Sequence, residues 1–162
     1  MLIKNDLEHL KILSLRSTQV TTLSLQRLAM IKIPQLQQLD LSMTLIDPQA
    51  ILHLKSFSSS LAALFLNNCD LDSSVLGLLT EISFAKLQQL HLDYNKFSGE
   101  EVLNFAADLQ RNILPQLGLV SLRGVSLRED TYEKVVKVLS SKGIQFKLDH
   151  PYNMAMPNSA RY

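Results

Sequence analysis

The chain has 162 residues, enough for one domain with a sizeable core and short for two. Leucine alone supplies 33 of them and apolar residues 46%, which excludes disorder for the bulk of the chain. The 16 Lys and Arg balance the 15 Asp and Glu at a pI near 7.9, so no cationic surplus exists to collect phosphates, and neither a nucleic-acid binder nor a membrane-surface binder is expected.

The first stretch, Met1 to Leu15, reads MLIKNDLEHLKILSL, with charges scattered among its apolar residues. It lacks a basic start, an unbroken apolar run and a small-residue cleavage site, so no secretory signal is expected. No window approaches ~18 consecutive apolar residues, so no membrane span is expected either. One cysteine, Cys69, cannot build a disulfide framework. These features together lead to the expectation of a reducing, aqueous setting, the cytoplasm.

From Leu10 onward the chain repeats. The stretches LKILSLRSTQV from Leu10, LQQLDLSMTLI from Leu36, LAALFLNNCDL from Leu61 and LQQLHLDYNKF from Leu87 lie over one another, and LGLVSLRGVSL from Leu117 follows with Val120 in a leucine position. Successive starts are 26, 25, 26 and 30 residues apart. Within each, the pairs Leu13–Leu15, Leu39–Leu41, Leu64–Leu66, Leu90–Leu92 and Val120–Leu122 have period two, which predicts a short strand with one buried face. Between the strands, Asp47-Pro48 predicts a helix start. Val75, Leu79 and Ile82, then Val102, Ala106, Leu109 and Ile113, then Tyr132, Val135, Val136 and Leu139 recur at helical spacing. Ser98 with Glu101, and Asp130 with Glu133, have the spacing of capping boxes. The long fourth period predicts a longer helix from about Gly99. A degenerate sixth unit, Gly143 to His150, keeps Phe146 and Leu148 in register. Residues 1–150 read as a single domain and 151–162 as a polar tail. Only Leu2, Ile3 and Leu7 precede Leu10 as apolar cover, so a monomer is expected whose weaker N-terminal edge is where any self-association occurs.

Strand, helix, strand at a fixed period predicts parallel neighbours joined by helical crossovers, and units that bury their apolar strips only by stacking. The pattern L-x-x-L-x-L-x-x-(N/C/T)-x-L resembles the leucine-rich repeat, in its helix-containing ribonuclease-inhibitor-like or cysteine-containing classes. The resemblance implies an α/β fold: a right-handed horseshoe solenoid of about five repeats plus the degenerate C-terminal strand, with a parallel sheet on its concave face and helices on its convex face. It also implies that the ninth position, here Thr18, Thr44, Cys69, Asn95 and Val125, hydrogen-bonds the turn leaving the strand. Val125 has no polar atom to do so, so the fifth turn must be satisfied otherwise. Cys69 is thereby a structural residue, not a reactive thiol.

Chemistry is sparse. The sequence contains no G-x-S-x-G, G-x-x-x-x-G-K-[ST], H-E-x-x-H or C-x-x-C, and His9, His53, His91 and His150 form no cluster at ligand spacing. No metal or other cofactor is expected. His91, Ser121 and Asp93 fall on neighbouring strands as an imidazole, a hydroxyl and a carboxylate, but an open strand face offers neither oxyanion donors nor a cleft. They read as polar positions of a binding sheet, and the chain as non-enzymatic. Across that sheet the outward positions are Ser14, Asp40, Phe65, His91, Ser121 and Lys147, then Arg16, Ser42, Asn67, Asp93, Arg123 and Asp149, then Ser17, Met43, Asn68, Tyr94, Gly124 and His150. Phe65 and Tyr94 stand near the centre as anchors, with Met43 beside them and His91, Asn67, Asp93 and Arg123 around them, the composition of an interface hot spot.

The family resemblance implies partner-protein recognition by the concave sheet, as scaffold, inhibitor or recruiting arm. A small chain made of little but such repeats also looks, in organisation, like effectors that intracellular bacteria inject into host cells, which would place it in host cytosol. The alternative is the substrate-recruiting part of a larger assembly such as a ubiquitin ligase, or a piece of a receptor.

Overall fold

A computed structural model describes residues 7–151. Among the described residues, six three-residue strands alternate with five helices: β1 (Ile12–Ser14), α1 (Thr22–Ala29), β2 (Gln38–Asp40), a 3-10 helix (Pro48–Phe57), β3 (Ala63–Phe65), α2 (Ser74–Glu81), β4 (Gln89–His91), α3 (Gly99–Gln110), β5 (Leu119–Ser121), α4 (Glu129–Ser141) and β6 (Gln145–Lys147). All strand pairs are parallel and the order is β1-β2-β3-β4-β5-β6. The fold is therefore α/β, with an open sheet not closed into a barrel. Each crossover leads to the adjacent strand, and crossovers of one hand place every helix on the same face. The helices pack in chain order, α1 on the 3-10 helix, that on α2, α2 on α3 and α3 on α4.

The period-two reading sets the register. Leu13, Leu39, Leu64, Leu90, Val120 and Phe146 face one another across the ladder. The second leucine of each pair lies just past its strand, and the N–H groups of Leu15, Leu41, Leu66, Leu92 and Leu122 each donate to the neighbouring strand. Leu39, Leu41, Leu64, Leu66, Leu90 and Leu92 are fully buried in one continuous core shared with the helices. Leu13 and Leu15, at the N-terminal edge, are only half-buried, as are Phe146 and Leu148 at the other edge. Leu2 and Ile3, and the tail from 152 onward, lie outside the described residues.

This register makes a sharp test. Truncating Leu66 to Ala removes atoms from a site with no exposure and is expected to cost ~2–5 kcal/mol in lost transfer energy and cavity formation. A typical domain has only ~5–15 kcal/mol in total, so urea unfolding should move to much lower concentration. Unfolding of Leu66→Ala at the parental midpoint would contradict the register.

The connecting elements depart from expectation in three places. The segment after Asp47 is capped as predicted, Asp47 accepting from the Gln49 N–H at 2.8 Å, but it winds as a 3-10 helix. Its buried residues Ile51, Leu54 and Phe57 recur every three positions, the 3-10 period, so the tighter winding puts all three on the core side. Helix α1 was not marked by apolar spacing; its signal is the box between Thr21 and Ser24, each side chain bonding the other's backbone N–H. The Asp130–Glu133 box does not form. Helix α4 begins two residues earlier than that box requires, with Arg128 at its cap, which leaves Asp130 in the first turn, where its negative charge complements the positive end of the helix dipole. The Ser98–Glu101 box forms, its carboxylate also taking the Ser73 hydroxyl, and the hydroxyls of Ser73 and Ser98 hold Glu101 below the usual carboxylate range. The helix it starts, α3, is longer than α2, as the long fourth period requires. Among the described residues no helix is long and apolar enough to cross a membrane.

Candidate functional site

The site is built on the turns that leave the strands. A parallel strand points alternate N–H groups to opposite neighbours, and where the chain turns away some of these lose their backbone acceptor. The ninth position supplies one remedy. Asn95 is buried and makes five bonds: its Oδ1 accepts from Cys69 N at 3.0 Å and Leu71 N at 3.1 Å, and its Nδ2 donates to Leu66 O at 2.8 Å, Leu92 O at 3.0 Å and, at the longer distance of 3.5 Å, Asp93 O. Thr18 and Thr44 donate to Leu15 O and Leu41 O at 2.5 and 2.6 Å. Cys69 donates to Leu41 O at 3.1 Å, and burial pushes its thiol up, which suits a structural sulfur. In the fifth turn Val125 makes no such side-chain bond, and the Gly124 N–H donates to Asp149 Oδ2 at 2.8 Å, where the equivalent N–H groups of Met43, Asn68 and Tyr94 donate to backbone carbonyls of the next unit.

A second ladder runs along the outward face. Asn67 N donates to Ser42 Oγ at 3.2 Å, Asp93 N to Asn67 Oδ1 at 2.9 Å, and Arg123 N to Asp93 Oδ1 at 2.8 Å. Ser42, Asn67 and Asp93 thus each accept the N–H of their successor in the next unit. Arg16 cannot accept, and the Ser42 N–H turns instead to Asp40 Oδ1 at 2.9 Å. Asn67 and Asp93, chosen from the sequence as rim residues of a binding face, therefore also hold the turns together.

The next column carries an unanticipated constraint. Ser17, Met43, Asn68, Tyr94 and Gly124 all have positive φ, between 53° and 82°. Left-handed backbone suits Gly and Asn and strains bulky side chains. The presence of Asn68 and Gly124 in one column is the trace the sequence carries of this geometry. Met43 and Tyr94 adopt it while remaining 47% and 60% exposed, so neither side chain is held there by core packing. The Tyr94 ring lies against Gly124, where an added Cβ would come within 2.6 Å of Tyr94 Cδ1.

Of the residues chosen from the sequence, Met43, Asn67, Asp93 and Tyr94 line one groove of about 440 Å3, together with Arg16 and Asn68, which sequence reasoning had not selected. Arg123 stands beyond Tyr94 and enters the face through its backbone. Phe65 and His91 form a separate pair, their rings stacked at 4.5 Å and 16°. Both are half-buried rather than projecting. Ser42 and Ser121, read as outward polar positions, are fully buried because each hydroxyl is drawn into the turn network. Ser121 Oγ donates to Asp93 Oδ1 at 2.5 Å, not to the imidazole, so hydroxyl, imidazole and carboxylate do not form a relay. Among the described residues no group of three His, Cys, Asp or Glu side chains is placed to hold a metal ion.

His91 Nε2 is buried and has no hydrogen-bond partner among the described residues. Burial pushes the imidazole below its ordinary value, opposed by Asp93 and Asp40 and reinforced by Lys147. The unfolded chain therefore takes up the proton more readily than the folded one. The stabilising contribution of neutral His91 is complete above the ordinary value of 6.5 and declines as pH falls through it. Urea midpoints should fall between about pH 7.5 and about pH 5.5, and His91→Phe, which keeps a ring on Phe65, should flatten that slope. An unchanged slope in His91→Phe would assign the dependence to other groups.

Compared with known protein families and with curated proteins, the chain matches none.

Proposed function

We propose that this chain is a leucine-rich-repeat solenoid of five units and a degenerate sixth, and that it acts without catalysis by binding a partner protein through the outward face of its sheet. The observation that carries the reading is the pair Met43 and Tyr94: two large side chains kept exposed on strained left-handed backbone. Strain at an exposed position persists where the side chain is used. Support for the repeat architecture comes from the equal register of the strand leucines and from the ninth-position bonds of Asn95, Thr44 and Cys69. Asn67 and Asp93 flank the two anchors with side chains whose orientation is already set by the backbone ladder, which Arg123 joins through its N–H, so little ordering entropy of these two side chains opposes docking. Phe65 and His91 lie outside the groove lining as a stacked, half-buried pair and not as a protruding anchor. The test is affinity purification from cell lysate with the parent chain and Tyr94→Asn in parallel, followed by titration of the captured protein. Partners retained equally by both chains would overturn the assignment.

A further inference from the structure

A second groove, of about 740 Å3, lies at the opposite end of the strands, where the chain comes off each helix and enters the next strand. Its floor is the row Lys11, Gln37, Ala62 and Gln88, the residues just before β1 to β4. Their backbone is already used: Lys11 O accepts from Gln37 N at 2.8 Å, Gln37 O from Ala62 N at 2.7 Å, and Ala62 O from Gln88 N at 2.8 Å. Side chains therefore decide what the groove takes. Ala62 and Ser60 are small and leave it hollow, the glutamine amides are exposed donors and acceptors, and the ionisable groups in the lining are Lys11 and Lys86, with no carboxylate. Neither ammonium is in an ion pair among the described residues. Among the described residues the helix-to-strand connections also carry Lys32, Lys142 and Arg111, the last paired with Asp108, and Glu8 precedes β1, whereas the turns at the other end mix Asp47, Asp70, Asp72, Asp93 and Asp149 with Arg16, Lys96, Arg123 and Arg128.

We propose that this groove binds an extended acidic peptide segment carrying two carboxylates four residues apart. Lys11 directly precedes β1 and Lys86 lies three residues before β4, so across the sheet the two are three strand spacings, about 14 Å, apart. An extended chain advances ~3.4 Å per residue and returns side chains to one face at every second residue, so carboxylates four apart reach about 14 Å on a common face. One meets each lysine, while Gln37 and Gln88 offer amides to the intervening backbone. A nucleic-acid strand fits less well, because the lining has no aromatic side chain for bases to stack on. This surface is distinct from the Tyr94 groove, and its failure would leave that reading untouched.

The experiment is an NMR titration of the isotope-labelled full chain with a blocked peptide of Ser and Thr bearing Glu at two positions four apart, and with its Gln counterpart. Side-chain amide signals of Gln37 and Gln88 should shift saturably with the Glu peptide and not with the Gln peptide, and the effect should weaken with added salt. The exposed double substitution Lys11→Gln with Lys86→Gln should weaken binding about fivefold or more, whereas Lys134→Gln with Lys137→Gln on α4 should change it less than about twofold. Equal shifts with both peptides, or an affinity indifferent to the Lys11 and Lys86 pair, would overturn the proposal. So would a single-stranded oligonucleotide that shifts the same amides at lower concentration, which would reassign the groove to a phosphate backbone.

Discussion

Asn95→Ala is expected to destabilise the protein by about 3–5 kcal/mol, more than an ordinary single substitution. The reason lies in the number of groups it serves. Two N–H groups, of Cys69 and Leu71, and two carbonyls, of Leu66 and Leu92, depend on one side-chain amide, in a place where Asn95 is itself only 8% exposed. Removing the amide leaves buried polar atoms facing a small cavity, and each lost partner costs about 1–3 kcal/mol less whatever an entering water restores. Equilibrium urea unfolding measures the loss directly. Asn95→Thr should recover part of it, about 1 kcal/mol, because a hydroxyl there can repeat the bond that Thr44 makes to Leu41 O. A cost for Asn95→Ala below about 1 kcal/mol would mean that water replaces the amide fully and that the column is not what joins the third and fourth turns.

Tyr94→Asn should separate binding from folding by moving them in opposite directions. The column already holds Asn68 in the same left-handed conformation, so the substitution copies a solution the fold uses next door. Relief of backbone strain at φ 58° should raise stability by up to about 1 kcal/mol. Loss of a central aromatic anchor should at the same time weaken partner binding by about 2 kcal/mol, roughly thirtyfold. Phe65→Ala is the less clean experiment, because its ring is half-buried against His91 and truncation would disturb the stack as well as the surface. If Tyr94 were a packing residue, Tyr94→Asn would lower stability and leave affinity where it was. Thermal melting and a binding titration on the same preparation distinguish the two cases.

The relation between sequence and site follows from which interactions are local. The period-two leucines placed all six strands and their register, including the degenerate strand around Phe146, because alternation in a three-residue strand reports directly which side is buried. The ninth column was legible for the same reason. A position that recurs every 25 or 26 residues acquires the same neighbours in each unit, so the column of Asn95, Thr44 and Cys69 is legible from spacing, while its bonding to the turns was implied by the resemblance to leucine-rich repeats. The Ser98–Glu101 box is equally local. Helix winding was less so, since Ile51, Leu54 and Phe57 are compatible with an α-helix until packing on α1 and α2 selects the tighter turn.

What the sequence by itself determined is therefore the layout: which leucines face the core, and in what columns the positions between them fall. Tertiary structure alone decided what the outward residues do. Ser42, Asn67 and Asp93 accept backbone N–H groups that belong to the next unit, and Ser121 turns its hydroxyl to Asp93 and away from His91. Met43 and Tyr94 project from left-handed turns whose geometry is set by how the chain must leave one strand to reach its helix. Such partners lie about one repeat apart in the chain and meet only when the units stack. A column of residue types records that they will be neighbours, but the directions of their donors and acceptors exist only once the strands are side by side.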